Sequence, residues 1–445
     1  MSYLALFFLT LIPAVAAYWL LPRFLRPYIL LLLSYAFYGG LDVRFALVLF
    51  GITLATYLIS QQLTRSQRSG LWLRIGIIFN LGVLGILKYA NFFLDPVASL
   101  GLPVPSLQLL QPLGLSFYSF QAISYLLELR LGKLPAPQPT FKDLALYLAF
   151  FPKLIAGPVI RPREFISQIE KRTAPLRRSE AIPALELLLI GLVKKVLIAD
   201  SIASLADVAY RAAAGNSTAF ASPLYLQGFY LYAFQIYMDF SGYTDMARGA
   251  ALLLGLQLPE NFRAPYFAAT IADFWNRWHM SLTTWFRENL FIPLSRSLLR
   301  RDGNRHPRAV QFASNVITMT VIGFWHGASW TFVFWGFWNG LLVALTRLLN
   351  IKPTRRWTTI LSAAITFHLV CIGWVFFRAP SFMVAIHFFQ GLFRLSPAHG
   401  CPTICLDPVR CHLLVIAVEL WQSDALPQRW HRYLGNSGDC CCPSC

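Results

Sequence analysis

Apolar segments long enough to cross a lipid bilayer recur along this chain from one end to the other. The hydrocarbon core of a bilayer is about 30 Å thick, and a helix needs about 20 consecutive, mostly apolar residues to cross it. Because unpaired backbone N–H and C=O groups are costly in hydrocarbon, a spanning segment must satisfy them internally, as a helix does. The sequence therefore predicts an all-α, polytopic membrane protein.

Ten segments are predicted to cross the membrane, at about 2–21, 28–39, 44–62, 72–94, 144–159, 182–200, 222–238, 309–325, 328–349 and 358–378. The first lacks a basic leader and a small-residue cleavage site, so we predict a retained helix rather than a secretion signal. Segment 110–130 is apolar but contains Ser, Gln and Glu128, which predicts a helix facing the bundle interior. Counting such interior or re-entrant segments, we expect roughly 10–12 helices around a central tunnel.

Charge is sparse and mostly positive. Only 13% of the residues are charged, whereas a soluble domain has about 25%. The net charge of +18 comes from basic residues in short loops, and no basic patch alternates with exposed aromatic residues. The pattern excludes a nucleic-acid partner and favours a lipid bilayer, with 161–178 and 295–308 as cytoplasmic loops.

Segment 272–294 differs from a plain span. It places aromatic and apolar residues at helical spacing, namely Phe274, Trp275, Trp278, Leu282, Trp285 and Phe286. Polar residues fall largely on the other side, namely Arg277, Ser281, Thr284, Arg287 and Glu288. This predicts a helix that lies in the interface or re-enters the membrane against protein. An ordinary amphipathic surface helix would explain the same pattern, but not His279 beside Trp278.

His326 lies near the start of the apolar stretch Gly323–Gly336, between Trp325 and Gly327. Burying an imidazole costs free energy, so a histidine at membrane depth is either a hydrogen-bonded structural residue or a functional one. A neutral imidazole can accept the proton of a hydroxyl near neutral pH. No G-x-S-x-G motif precedes it, so a histidine acting directly on a hydroxyl fits better than a serine acyl-enzyme.

Two glycine pairs lie near His326 in the sequence, one on either side of it and one after it. Gly323 and Gly327 form one G-x-x-x-G step, and Gly336 and Gly340 form another. Such steps let two helices approach closely, or leave space for a ligand beside the backbone. Both interpretations stay open at this point.

A third polar cluster occupies 235–249, with Gln235, Asp239, Ser241, Tyr243, Asp245 and Arg248. Its carboxylates are suited to line a pore, bind a cation or orient a hydroxyl. Asp245 and Arg248 are equally well explained as an i,i+3 ion pair. Asp239 lies in an apolar setting, so it is the stronger functional candidate. The chain lacks H-E-x-x-H, P-loop and di-acidic motifs, so we predict no metal site and no nucleotide-driven pump.

The composition changes abruptly after Arg394, and seven of the eight cysteines fall between Cys401 and Cys445. The pair Cys442-x-x-Cys445 has no second motif at zinc-ligand spacing, which disfavours a metal site. We predict a membrane domain over 1–394. We expect 395–445 to be an atypical, Cys-rich tail with a degenerate, truncated or frame-shifted sequence.

Nine motifs in order give the chain a resemblance to a known family. They are "LLLSYAFYGGLDVRF" (31–45), "LKYANFF" (87–93), "PLGLSFYSFQAISYLLEL" (112–129), "FFPKLIAGPVIRPREF" (150–165), "GLVKKVLIAD" (191–200), "QIYMDFSGYTDMARGAALLLGLQLPENFRAPY" (235–266), "DFWNRWHMSLTTWFRENLFIPL" (273–294), "GFWHGASWTFVFWG" (323–336) and "GWVFFRA" (373–379). They resemble the membrane-bound O-acyltransferases, in particular the bacterial branch acting in alginate O-acetylation and teichoic-acid D-alanylation.

The resemblance implies an O-acyltransferase of the cell membrane, with a tunnel through the bundle in which the two substrates meet. The family's histidine falls on His326 as general base, and its second polar position falls on His279. The donor would be acetyl-CoA or an acylated carrier protein, with no tightly bound cofactor. The acceptor would be an exported polysaccharide or an extracellular relay protein. Supporting positions would be Asp239, Ser241, Trp325, Trp278, Arg277 and Arg287.

Two other functions are compatible with buried polar residues in a membrane bundle. A transporter or flippase is one, but such proteins often consist of paired halves with broken helices at matching positions. The polar motifs here cluster at 235–294 and 323–336 only. The second is an inactive, truncated homologue, which the unusual tail suggests.

Overall fold

The computed structural model describes residues 3–100, 107, 109–171, 178–215 and 222–394. Every regular element within those ranges is a helix, so the predicted all-α class is confirmed. The predicted tail, 395–445, lies outside the described residues.

The first part of the chain forms nine helices within the described ranges. They are α1 (Tyr3–Leu20), α2 (Arg26–Leu41), α3 (Val43–Arg65), α4 (Ser69–Leu84), α5 (Ala90–Ser99), α6 (Leu115–Arg130), α7 (Phe141–Ala149), α8 (Phe151–Leu154) and α9 (Pro162–Lys171). A π-helical turn, Gly85–Tyr89, joins α4 to α5. Eleven of the sixteen residues of α6 are buried, which confirms that 110–130 contributes an interior helix.

The second part of the chain forms ten helices within the described ranges. They are α10 (Arg178–Leu192), α11 (Asp200–Ala214), α12 (Ser222–Leu253), α13 (Ile271–Arg277), α14 (Met280–Phe286), α15 (Ile292–Arg301), α16 (Pro307–His326), α17 (Trp330–Leu348), α18 (Arg356–Arg378) and α19 (Phe382–Leu392). Two more π-helical turns join neighbours in this part, Val193–Ala199 and Arg287–Phe291. These turns sit where the chain passes from one helix to the next without a loop.

Six helices in the described ranges are long and apolar enough to cross a membrane. They are Tyr3–Leu20, Arg23–Leu41, Val43–Arg65, Ser69–Ala98, Trp330–Leu348 and Arg356–Arg378. Each coincides with a predicted span. The helices α12 and α16 are also long enough, but they are less apolar because they carry polar side chains within the bundle.

The predicted span 144–159 is wrong. The chain there forms two short helices, α7 and α8, which meet at Phe150, and then passes through a turn at Ile155 and Ala156 into a segment without regular structure that reaches Arg161. Nearly all of these residues are buried, from Leu144 to Leu154. Pro152 and Gly157 interrupt this apolar segment, so it does not form one helix long enough to cross the membrane. It packs in the bundle interior instead.

The pair α16 and α17 packs backbone against backbone through glycines. A Cβ atom on Gly323 would lie 2.2 Å from the carbonyl oxygen of Phe332, and one on Gly336 would lie 2.3 Å from that of Met319. The space beside these glycines is therefore filled by the neighbouring helix and not by a ligand. The helix-packing interpretation is correct, and it fixes the end of α16, where His326 lies.

The bundle has two hydrophobic cores that share two helices. One core is built mainly from α11 to α14 and α16 to α18, and the other mainly from α1 to α3 and α6 to α8. The helices α6 and α12 contribute residues to both cores, so they form the central walls of the bundle. The segments carrying His279 and His326 approach each other beside α6.

Candidate active site

His326 is the last residue of α16 and is half-buried. Gly327, which follows it, is extended with φ −161° and ends the helix. The imidazole packs edge-on against two aromatic rings, with centroid distances of 5.2 Å to Trp335 and 5.3 Å to Phe377. Rings on two different helices therefore set the orientation of the imidazole.

The end of α16 is held by Lys88 and Tyr89, at the π-helical turn between α4 and α5. The Nζ atom of Lys88 donates to the carbonyl oxygens of Trp325 and His326, the latter at 3.2 Å. The hydroxyl of Tyr89 donates to the carbonyl oxygen of Trp325 at 3.0 Å. The last carbonyls of a helix lack intrahelical partners and carry its negative dipole end, so an ammonium group is well suited to this place.

His279 lies between α13 and α14 in the left-handed conformation, with φ 44° and ψ 50°. The prediction of one continuous amphipathic helix over 272–294 is therefore wrong, because the chain turns sharply at Trp278 and His279. Non-glycine residues adopt positive φ rarely, and histidine does so more readily than most. The turn aims the His279 side chain into the bundle, where an unbroken helix would not place it.

A buried asparagine holds this turn in place. The carbonyl oxygen of Asn261 accepts from the N–H of Met280 at 3.0 Å, and its side-chain Oδ1 accepts from the hydroxyl of Ser281 at 2.6 Å. The Ser281 hydroxyl oxygen in turn accepts from the N–H of Val159 at 2.9 Å. Two remote segments, those of Asn261 and Val159, thus fix the backbone beside His279.

The imidazole of His279 is only 2% exposed and packs edge-on against Phe240, with a centroid distance of 4.6 Å. Neither ring nitrogen has a hydrogen-bond partner among the described residues. Leaving a buried polar atom unpaired costs about 1–3 kcal/mol, so the arrangement needs an explanation beyond packing.

The two histidines, far apart in the sequence, come together in the structure. His279 and Lys88 both lie within electrostatic range of the His326 ring. The ring of Phe117, on α6, lies 6.3 Å from the His279 ring and 5.3 Å from that of Trp325, the neighbour of His326. The two predicted histidines thus lie near each other, and their joint role in one active site stays a prediction.

An aromatic stack connects this site to a cavity. Trp325 lies over Phe120 at 5.4 Å, and Phe120 lies over Trp285 at 4.1 Å with nearly parallel planes. The indole N–H of Trp285 donates to the hydroxyl of Ser124 at 2.6 Å, whereas that of Trp325 has no partner within the described ranges. Trp325 therefore lies in the aromatic stack beside His326, and its role in the substrate tunnel stays a prediction.

The cavity has a volume of about 630 Å³ and is lined by α6, α9, α14 and α15. Buried Ser281 and half-buried Trp285 lie on its inner surface. Eight charged side chains line it as well, four of them basic and four acidic, namely Lys133, Arg161, Arg163, Arg296, Glu128, Glu164, Glu260 and Glu288. Arg161 and Arg296 come from the two predicted cytoplasmic loops, so these loops meet at one side of the bundle.

The remaining predicted residues lie further from the histidine pair. Asp239 is 49% exposed and forms an ion pair with Lys195 at 2.6 Å, rather than lying in an apolar setting. Arg277 pairs with Asp273 at 3.0 Å, and Arg287 is exposed near Arg347. Their roles in supporting the tunnel or its mouth stay predictions.

Two further predicted residues are buried. Ser241 is on α12, and its hydroxyl has no hydrogen-bond partner in the described part of the chain. Trp278 stacks on Phe274 and contacts Trp374, with centroid distances of 5.5 Å and 5.0 Å, so it packs the core behind His279. The predicted i,i+3 pair of Asp245 and Arg248 is confirmed at 3.7 Å, and Asp245 also pairs with Lys194.

Sequence analysis missed two residues that shape the site, Lys88 and Asn261. Lys88 lies inside the predicted span 72–94, and a lysine at that depth is itself a signal of function. Asn261 lies in the polar loop after α12, where only the folded structure reveals its burial. Among the described residues, no three His, Cys, Asp or Glu side chains cluster to hold a metal. That no metal takes part stays a prediction.

Comparison with known proteins identifies the family. The family model of the membrane-bound O-acyltransferases matches residues 61–382. The chain belongs to the membrane-bound O-acyltransferase family. The resemblance inferred from the nine motifs is confirmed, and this bundle with its buried histidines is a multi-pass membrane O-acyltransferase.

Three relatives illustrate its similarity to bacterial transferases. The probable alginate O-acetylase AlgI of Pseudomonas aeruginosa is 38% identical over 380 residues, which cover 83% of this chain and 70% of that protein. The peptidoglycan O-acetyltransferase of Helicobacter pylori is 34% identical over 404 residues, or 84% and 74% of the two chains. The teichoic acid D-alanyltransferase of Bacillus subtilis is 30% identical over 291 residues, or 62% and 71%. Transfer of an acyl group is therefore favoured over solute transport.

Proposed function

We propose that this acyltransferase moves an acetyl group from a cytoplasmic thioester to a hydroxyl of an exported polysaccharide, or of a protein that relays the group outside. The observation that carries the proposal is the proximity of His326 and His279 beside an aromatic stack that extends to a cavity. The names of the relatives support a polymer as the final acceptor and acetyl as the transferred group.

The proposed reaction uses His326 as a general base. The acceptor hydroxyl oxygen attacks the carbonyl carbon of the thioester while the imidazole of His326 takes the hydroxyl proton. The C–S bond then breaks, and the imidazolium returns the proton to the departing thiolate. The products are an O-acetyl ester and a free thiol, so no tightly bound cofactor and no metal are needed.

His279 would position one of the substrates beside His326. Its ring nitrogens are buried and have no partner among the described residues, so a carbonyl or hydroxyl of a substrate would complete a hydrogen bond there. The rigid turn held by Asn261 keeps the ring in place before the substrate arrives. Preorganised polar groups of this kind stabilise developing charge without a reorganisation cost.

The cavity would admit the donor. It opens beside the basic loops, which the positive-inside rule assigns to the cytoplasm. Lys133 and Arg296 lie among its lining residues and would attract the phosphates of acetyl-CoA or of a carrier protein's phosphopantetheine arm, whereas Arg161 and Arg163 pair with Glu288 and Glu128. The acceptor would reach His326 from the opposite face, which places the protein in the cell membrane between cytoplasm and exterior.

Transfer by membrane vesicles with the cytoplasmic face outward tests the donor and the base together. Vesicles containing wild type, His326→Gln or His368→Gln would be given radiolabelled acetyl-CoA or radiolabelled acetyl carrier protein. His368 is a matched control, because it is an exposed histidine on α18 that bonds Tyr230 and lies outside the site. Label in polysaccharide or protein ester would be measured.

We expect ester formation with wild type and His368→Gln from one of the two donors, and a loss of roughly 100-fold or more with His326→Gln. Label that accumulates equally with His326→Gln would overturn the role of His326 as base. Label from neither donor in wild-type vesicles, at normal protein levels, would contradict the proposed thioester donors.

A further inference from the structure

A second cavity lies away from the histidine pair, between the first turns of α16 and the end of α17. Its volume is about 260 Å³. We call it the arginine pocket, and its polar lining consists of Arg308, Gln311, Asn315, Arg347 and Asn350. No carboxylate of the described residues lines it. The charged side chains that line it are therefore all basic.

The guanidinium of Arg347 is held in a defined orientation. Its Nη1 donates to Oδ1 of Asn315 at 2.9 Å, and Asn315 is itself only 5% exposed. The Asn315 amide donates to the carbonyl oxygen of Gln311 at 2.7 Å, which fixes it in turn. The other donors of Arg347 stay free to bind an anion, and Arg287 adds positive charge nearby.

The pocket lies at the level of the membrane boundary. It borders the last turn of α17, a helix apolar enough to cross the bilayer. Trp357, at the start of the next helix, is 81% exposed, and Arg355 and Arg356 precede it. Exposed tryptophan beside arginine is typical of the interface between lipid headgroups and water.

An apolar surface extends from the pocket toward the membrane interior. Phe312 on α16 and Leu348 at the end of α17 line the pocket, and Leu348 is exposed together with Phe337, which lies three turns earlier on the same face of α17. A molecule with a phosphate in the pocket and hydrocarbon chains along this surface would match both the basic pocket and the apolar surface. Basic pockets between transmembrane helices bind lipid headgroups in this way.

We propose that the arginine pocket binds the phosphate of an anionic phospholipid. Arg347 and Arg308 would hold the phosphate oxygens with charge-assisted hydrogen bonds, and the acyl chains would lie against α16 and α17. The assignment does not depend on the acyl-transfer reaction. A soluble phosphate compound shares the headgroup chemistry, but it would make no use of the adjoining apolar surface.

Native mass spectrometry of the purified full-length protein in detergent tests the proposal. Phosphatidylglycerol, phosphatidylcholine or inorganic phosphate would be added to wild type, Arg308→Gln, Arg347→Gln and Arg356→Gln. Arg356→Gln is the matched control, because it removes the same charge at the same boundary but outside the pocket. Arg308 is exposed, so Arg308→Gln carries the test even if Arg347→Gln fails to fold.

We expect one phosphatidylglycerol to bind wild type and Arg356→Gln tightly, and phosphatidylcholine to bind more weakly. Each pocket substitution should weaken phosphatidylglycerol binding roughly fivefold, because one arginine near a membrane surface contributes about 1 kcal/mol. Equal binding by Arg308→Gln and wild type would overturn the proposal. So would inorganic phosphate that displaces the lipid at equal concentration, because the pocket would then recognise a soluble anion.

Discussion

The Nζ atom of Lys88 lies 3.2 Å from the carbonyl oxygen of His326, and it also bonds the carbonyl oxygen of Trp325. A lysine on one transmembrane helix thus closes the end of another helix at the residue proposed as the base. The contact joins the first third of the chain to the site, so the position of His326 depends on the packing of α4 and α5.

Replacing Lys88 should impair turnover more than substrate binding. Lys88→Met keeps the length of the side chain but leaves the last carbonyls of α16 unpaired, so the imidazole would shift. We expect kcat to fall roughly tenfold to a hundredfold, because small misplacements of a catalytic group cost that much, while the donor KM changes little. Lys88→Arg should restore part of the rate, since it keeps the charge. A change in the donor KM with an unchanged kcat would contradict the role of Lys88 in positioning His326.

His279→Asn should distinguish the role of the His279 imidazole from that of the left-handed backbone conformation at this residue. Asparagine tolerates the left-handed conformation that His279 adopts, so the protein should keep its thermal stability. We expect transfer to fall roughly tenfold to a hundredfold, because the substrate loses a positioning partner. Transfer rates and melting temperatures of the purified protein would check both statements. Wild-type activity in a stable His279→Asn protein would show that the ring has no role.

Gly323→Ala should loosen the contact between α16 and α17. The new Cβ would lie 2.2 Å from the carbonyl oxygen of Phe332, so the helices must separate. Overpacking of this kind costs about 1–3 kcal/mol, and it should lower both the melting temperature and the activity. Gly51→Ala on α3 is the control, because nothing lies within 4 Å of its Cβ position. Equal melting of the two variants would contradict the close packing.

Thr284→Trp should obstruct the donor cavity. Thr284 is exposed and lines the cavity, so an indole there would occupy part of its 630 Å³ without disturbing the core. We expect the donor KM to rise roughly tenfold, which corresponds to a loss of about 1.4 kcal/mol of binding. Thr284→Ser leaves the space open and should behave as wild type. An unchanged donor KM in Thr284→Trp would place the donor route elsewhere.

The sequence predicted the outer helices well, and the interior less well. Length and hydropathy suffice for helices such as Val43–Arg65, because most of their residues are apolar and only a minority are buried against protein. Segment 144–159 is equally apolar, but its apolar side chains pack against protein. Hydropathy cannot distinguish burial in protein from burial in lipid, so this span was predicted wrongly.

The sequence indicated which residues are candidates for the site, but it did not predict how they are arranged. His326 and His279 stood out because imidazoles are rare in apolar surroundings. The break at His279 could not be predicted, since the turn depends on Asn261 and Ser281 meeting across the fold. Lys88 is likewise distant in sequence from the helix end it holds. Contacts between segments remote in sequence determine the geometry of the site, and a local sequence pattern does not predict such contacts.

The most direct test of the account is the O-acetyl content of the cell-surface polysaccharide in cells making wild type or His326→Ala at equal membrane levels. The account predicts ester with wild type and a fall to the level of a deletion strain with His326→Ala, because the hydroxyl loses its proposed base. Equal ester content in both strains would contradict the assignment of His326 as the base of acyl transfer.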